Sequence, residues 1–116
     1  MNELPPPGPG IGRNKDIILL TIKYQFSAEP SRVFSILGDE AQWPEEFAPR
    51  ILKRQPSTKL IVALDDFTRI EFNIEPISEG CAVNLLHDLI KSNEDLKEYR
   101  KLWNAWFKQI EKRVSL

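Results

Sequence analysis

The stretch "LLHDLIKSNEDLKEYRKLWNAWFKQI", residues 85–110, decides the fold. Its front half reads as the end of a strand. Its back half steps apolar residues by three and four: Leu96, Tyr99, Trp103, Trp106, Ile110 and then Val114. That spacing keeps one stripe on one side of a helix. Phe107 widens the stripe, while Lys97, Arg100, Lys101, Lys108, Lys112 and Arg113 cover much of the rest. Ser92 or Asn93 can cap the helix, and Asp95 is spaced from Ser92 for a capping box. A helix of about 20 residues, roughly 30 Å long, needs a broad apolar surface to lie on.

The residues before it supply that surface. In "DIILLTIKYQF", Ile18, Leu20, Ile22, Tyr24 and Phe26 alternate with a face that turns polar, which predicts a strand with one buried side. "SAEPSRVFSIL" predicts a helix, with Ser27 as candidate N-cap, Pro30 in the first turn and Gly38 at the end. "DEAQWPEEF" predicts a short helix or turn. Its Asp39, Glu40, Glu45 and Glu46 read as a solvated acidic corner, since adjacent carboxylates rarely converge on one ion. "PRILKRQ" is a short basic strand. "KLIVAL", Asp65-Asp66 and "FTRIEFNIEP" predict a hairpin with a two-residue turn. "SEG" turns the chain into "CAVNLLHDLI", the last strand, whose inward face would hold Cys81, Val83, Leu85, His87 and Leu89. The order β-α-α-β4-α with short turns predicts an α+β fold, an antiparallel curved sheet with the long helix across it.

"MNELPPPGPGIGRNK" has four prolines and three glycines in its first twelve residues. It predicts a disordered tail over 1–15, leaving 16–116 as a single domain. Pro6 and Pro9 give a P-x-x-P spacing, but a plain tail is the simpler reading. Gly8, Gly10 and Gly12 make no phosphate loop, because no Gly-Lys-Ser/Thr follows them.

Sixteen basic and seventeen acidic residues leave a net charge of -1, so no nucleic-acid partner is expected. The charge is uneven. Residues 1–90 carry a net of -4 and residues 91–116 a net of +3. A single cysteine, Cys81, excludes an internal disulfide and suits a reducing compartment. No signal peptide and no membrane span are read, so a cytoplasmic location is expected.

The residues resemble a known superfamily. "FSAEPSRVFSILGDEAQW", with Ala28, the Val33-Phe34 pair and Trp43, looks like the opening of the helix-grip fold. This is the START-like or Bet-v-one-like superfamily, also called SRPBCC. "GCAVNLLHDLIKSNEDLKEYRKLWNAWFKQIEKRV" is similar to the end of one branch, the activator of heat-shock-protein-ninety ATPase homologue-like group. There a His on the last strand precedes a helical Trp followed by apolar residues three and seven positions on. The matching residues here are His87, Trp103, Trp106 and Ile110. The order of elements matches over residues 17–114. Members usually carry two more strands after the small second helix. This chain has only about 12 residues between Trp43 and Gln55, so a smaller sheet is expected.

Nothing in the sequence argues for catalysis. Cys81 and His87 lie six residues apart on one strand, roughly 20 Å, too far for a dyad. One His and one Cys are too few for a structural zinc site, and no cofactor is expected. The resemblance implies a binder or carrier of a small hydrophobic molecule, held between sheet and last helix. Its candidate lining is Ile22, Tyr24, Phe34, Ile70, Phe72, Leu85, His87, Trp103 and Trp106. The alternative is a protein-interaction module with a filled core, for which the resemblance implies a chaperone partner. His87 is then either a polar anchor at a pocket mouth or a satisfied core histidine, bonded to backbone near the start of the last helix. Its pattern leans towards packing. A cavity above roughly 300 Å³ would favour the carrier. A filled core with exposed apolar surface would favour the module.

Overall fold

The computed structural model describes residues 17–114. The reading of a tail over residues 1–15 lies outside the described residues. The element order is β1 (Ile18–Phe26), α1 (Pro30–Leu37), two single 3-10 turns (Glu40–Gln42 and Glu45–Phe47), β2 (Pro49–Gln55), β3 (Lys59–Leu64), β4 (Arg69–Ile77), β5 (Gly80–Ile90) and α2 (Asn93–Val114). The strands form one antiparallel sheet in the order β1-β5-β4-β3-β2. Strands two to five form a meander. The first strand closes onto the last, as the α+β helix-grip expectation requires.

α2 grips the sheet through its predicted stripe. Trp103, Trp106, Phe107, Ile110 and Val114 are buried, with Leu96 and Tyr99 half-buried at its front. Ser92 Oγ accepts from the Asp95 N–H at 3.0 Å, so Ser92 is the cap. At the far end Tyr24 donates to Glu111 at 2.8 Å, and Arg32 donates to the Val114 carbonyl at 3.0 Å. The last turn of α2 is thereby tied to both β1 and α1, and one of its orphan carbonyls is satisfied. No helix among the described residues is long and apolar enough to cross a membrane.

Several details depart from the sequence reading. Glu29, not Ser27, stands at the N-cap of α1, and its side chain makes no capping bond. Pro30 supplies the start instead, since its fixed φ suits the first helical position. The β3–β4 turn is longer than two residues. Phe67 N–H bonds the Leu64 carbonyl at 3.1 Å, and Leu64 N–H bonds the Thr68 carbonyl at 3.0 Å. This is a three-residue loop whose third residue must be left-handed, a position that favours glycine. Phe67 occupies it at φ 69° and stands 83% exposed.

Leu89 does not share the inward face of β5. The pairing shifts between Ile18 and Leu20 of β1, opposite Leu89, which is left-handed at φ 69°. This bulge inserts one residue, so His87 and Ile90 both point inward and Leu89 is turned out. Asp88 holds the kink by accepting the Leu89 N–H at 2.8 Å.

Candidate functional site

His87 is fully buried and both ring nitrogens are engaged. Trp103 Nε1 donates to His87 Nδ1 at 3.0 Å. An indole N–H can only donate, so Nδ1 is the unprotonated nitrogen. Nε2 therefore carries the proton and donates to Thr68 Oγ1 at 2.9 Å. Thr68 in turn donates to Asp66 Oδ1 at 2.7 Å, and Asp66 Oδ2 accepts from Tyr99. Two donor runs therefore converge on the Asp66 carboxylate, one from Trp103 through His87 and Thr68 and one directly from Tyr99, and together they join α2 to β5 and the β3–β4 turn. His87 is thus a satisfied core histidine, but its partners are side chains and not the expected backbone.

The electrostatics follow from this arrangement. Burial pushes the His87 imidazole down to about 4, against the opposing pull of the Asp66 and Asp88 carboxylates. Burial alone would raise Asp66, but the hydrogen bonds from Tyr99 and Thr68 outweigh it and hold the carboxyl below its usual range. Burial, the hydrogen bond to Asp66 and its charge together raise Tyr99. Protonating His87 would set a second donor against the Trp103 N–H. Between pH 6.5 and about 4 the unfolded chain therefore takes up a proton that the folded one refuses. Stability should fall as pH falls through that window, by up to about 3 kcal/mol. Urea unfolding at pH 7.5, 5.5 and 4.2 measures it. His87→Gln can accept from Trp103 and donate to Thr68 without titrating. An equal pH slope in that variant would rule His87 out as the source.

Six of the nine candidate lining residues are buried in the space between α2 and the sheet, but that space is occupied. Ile70, Phe72, Leu85, His87, Trp103 and Trp106 are all fully buried, while Ile22, Tyr24 and Phe34 sit half-buried at its margin. Trp43 and Phe47, from the two 3-10 turns, wedge between helix and sheet. Phe47 lies 4.5 Å from Trp103 and Trp43 lies 4.6 Å from Trp106, centroid to centroid, with Phe72 5.9 Å from Trp43. Trp43 Nε1 donates to the Leu37 carbonyl at 2.8 Å and fixes the wedge to α1. The segment carrying these two rings is the acidic corner itself. There Asp39 accepts the Ala41 N–H at 3.0 Å, and Glu40 accepts the Ile51 N–H at 2.8 Å, so both carboxylates serve the backbone.

Four surface clefts, of about 430, 290, 360 and 370 Å³, border on none of the nine residues. Among the described residues, no group of three His, Cys, Asp or Glu side chains is placed to hold a metal. Cys81 is buried, and burial raises its thiol. Thr68 is buried too, its hydroxyl held between the Asp66 carboxylate and His87, whose two ring nitrogens are both engaged. The chain of bonds is suited to clamping α2 onto the β3–β4 turn.

Thr68 and Phe47 escaped the sequence reading, which took Asp66 only for a turn residue and Trp43 only for part of the resemblance. Asp66-x-Thr68 is a signal for a side-chain-bonded turn, with Asp66 Oδ1 accepting the Thr68 N–H at 3.0 Å. Nothing in the sequence links that turn to His87.

Solved structures carry the same fold. The AHSA1-like protein of Rhizobium etli aligns with a TM-score of 0.66 at 14% identity, covering 83% of this chain and 81% of its own. The Aha1 dimer of Colwellia psychrerythraea aligns at 0.71 and 10%, covering 84% and 96%. The AHSA1-like protein of Aeromonas hydrophila aligns at 0.69 and 10%, covering 84% and 92%. At these identities the likeness is one of fold. No family model matches the chain, and no curated protein is similar to it in sequence.

Proposed function

We propose that this chain is a cytoplasmic protein-interaction module, a single START-like domain over residues 16–116 that works by contact and not by catalysis. The observation that carries the reading is the wedge of Trp43 and Phe47 against Trp103 and Trp106, which leaves the helix-grip interior filled with protein side chains. The contact surface is the end of the molecule at the β3–β4 turn. Phe67 projects there, 83% exposed, with the Lys91 ammonium 6.0 Å from its ring centroid. An exposed aromatic held left-handed costs about 1 kcal/mol, and the contact with Lys91 is a weak return for it. Its use lies in a partner, as aromatic anchors dominate many interfaces. The resemblance implies a heat-shock-protein-ninety chaperone as that partner.

A second reading, the carrier of a small hydrophobic molecule, is favoured by one atom. Trp106 Nε1 is buried without a hydrogen-bond partner, a donor that a ligand's oxygen would satisfy. Native mass spectrometry of protein purified from cells separates the two. The bare chain mass of 13.4 kDa is expected. A retained apolar molecule would move the assignment to the carrier. Calorimetric titration with a purified heat-shock-protein-ninety chaperone then tests the partner. Phe67→Ser should weaken binding at least tenfold, and equal affinity would exclude this surface.

A further inference from the structure

The outward side of α2 carries a row of one charge sign. Lys97, Lys101, Lys108 and Lys112 are all exposed, with only Asn104 and Ala105 between them on that side. At 3.6 residues per turn the four lysines fall within an arc of about 60°, opposite the stripe of Trp106 and Ile110. They span about 22 Å, in steps of about 6, 10 and 6 Å. A helix gains stability when an acid stands four residues before a lysine. Those four positions here hold Asn93, Lys97, Asn104 and Lys108. Lys97 with Lys101, and Lys108 with Lys112, are therefore like-charged neighbours that weaken the helix.

Two acids that flank the row are turned elsewhere. Glu111 accepts from Tyr24 at 2.8 Å, and Glu98 lines a cleft with Asp66 and Tyr99. Glu94 stands only at the front end of the row. Among the described residues the ion pairs are Lys23–Glu75 and Lys59–Glu71, both on the sheet. The row is therefore left without a counter-charge inside the fold.

We infer that this row is a docking surface for an acidic helix of a partner protein, laid lengthwise along α2. Charge complementarity calls for carboxylates, and the shape of the row selects how they are arranged. It is straight and one side chain wide, so it matches a line of charges and not a plane of them. Its steps of four, seven and four residues are those of one helix face, which a second helix reproduces in either direction. A bilayer is disfavoured, because the row holds no large apolar side chain to insert, only Asn104 and Ala105. A nucleic-acid duplex is disfavoured as well. Residues 1–90 carry a net of -4, which an extended polyanion repels, whereas a short acidic helix confined to the row does not meet them. The docking makes no use of Phe67.

Fluorescence anisotropy of the full chain with a labelled peptide tests this. The probe is an alanine-glutamine helix with four glutamates spaced by four, seven and four residues. A dissociation constant on the order of 10 µM is expected at low salt, weakening about tenfold as salt rises to about 0.3 M. Lys101→Glu should weaken binding about tenfold, through repulsion in the middle of the row. Lys53→Glu, an equal charge change at an exposed position of β2, should leave binding within about twofold. Phe67→Ser should leave it unchanged, which separates this surface from the proposed partner surface. A second peptide, with the same four glutamates placed on different sides of its helix, should bind about tenfold more weakly. Equal binding of the two peptides overturns the proposal, as does an equal loss from Lys101→Glu and Lys53→Glu, since net charge would then suffice. So does the absence of binding by the patterned peptide up to about 300 µM. Tighter binding to phosphatidylserine vesicles or to a DNA duplex than to the peptide also overturns it, and gives the row to a bilayer or to nucleic acid.

Discussion

Trp103→Ala is expected to cost about 4–5 kcal/mol, at the upper end for a buried aromatic. Two losses combine. Trp103 is fully buried, with Phe47, Phe72 and Phe107 rings 4.5, 5.6 and 5.8 Å away, so truncation opens a void that rigid rings on three sides cannot close. The indole N–H is also the donor to His87 Nδ1, which would be left buried and unsatisfied. Were Trp103 the wall of an open pocket, one side would already lack packing partners and the loss would be nearer 1–2 kcal/mol. Urea unfolding against wild type, with the m-value checked for two-state behaviour, distinguishes the cases. A loss below about 2 kcal/mol at unchanged m would favour the carrier over the packed module.

Gly80→Ala is expected to be at least as severe. Gly80 lies at φ 153°, where an L side chain is strained, and it opens β5 directly against the chain leaving β1. A β-carbon there would stand 2.1 Å from the Phe26 carbonyl oxygen and 2.6 Å from the Ala28 nitrogen. These are backbone atoms and cannot swing aside. The clash can be relieved only by parting β5 from the end of β1, at the register pair Phe26–Cys81. A loss of about 4 kcal/mol or more should lower the thermal midpoint by roughly 15–30 °C. A circular-dichroism melt within 5 °C of wild type would mean the β4–β5 turn does not approach Phe26 as described.

What could be read from the sequence was what repeats. α2 was legible over its whole length because six apolar residues hold a helical period for five turns. β1 and β4 were legible through alternation, with Ile70, Phe72 and Ile74 inward as expected. β5 was legible up to His87, where the bulge breaks the period. A left-handed leucine leaves no trace in a pattern. The wedge was invisible for a related reason. Trp43 and Phe47 sit in two single 3-10 turns, which have no period to detect, so their convergence on Trp103 exists only in three dimensions. The nine candidate residues were grouped as one face from period alone, and six of them are fully buried while three lie at the margin. Whether that face encloses space depends on what another segment inserts beneath it. The His87 chain fails the same way, since Thr68 is 19 residues away and reaches it only through the β4–β5 pairing.

The pairing of the first strand with the last also bears on how the chain is made. Every other strand pairs with its neighbour in sequence, through turns of a few residues. β1 waits for a partner 55 positions on at Cys81 and 72 positions on at Ile90. At about 5–20 residues per second, synthesis puts several seconds between the two strands. During that interval ILLTIKYQF has neither its sheet nor α2 over its apolar side. It carries one charge and no proline, the composition of a segment that pairs readily with copies of itself. The meander of β2 to β5 can form as it emerges, while β1 docks last and by loop closure. Translation rate and nascent-chain shielding of β1 should therefore govern the soluble yield more than native stability does. Slowing elongation after residue 26 lengthens the time of risk without changing the final structure.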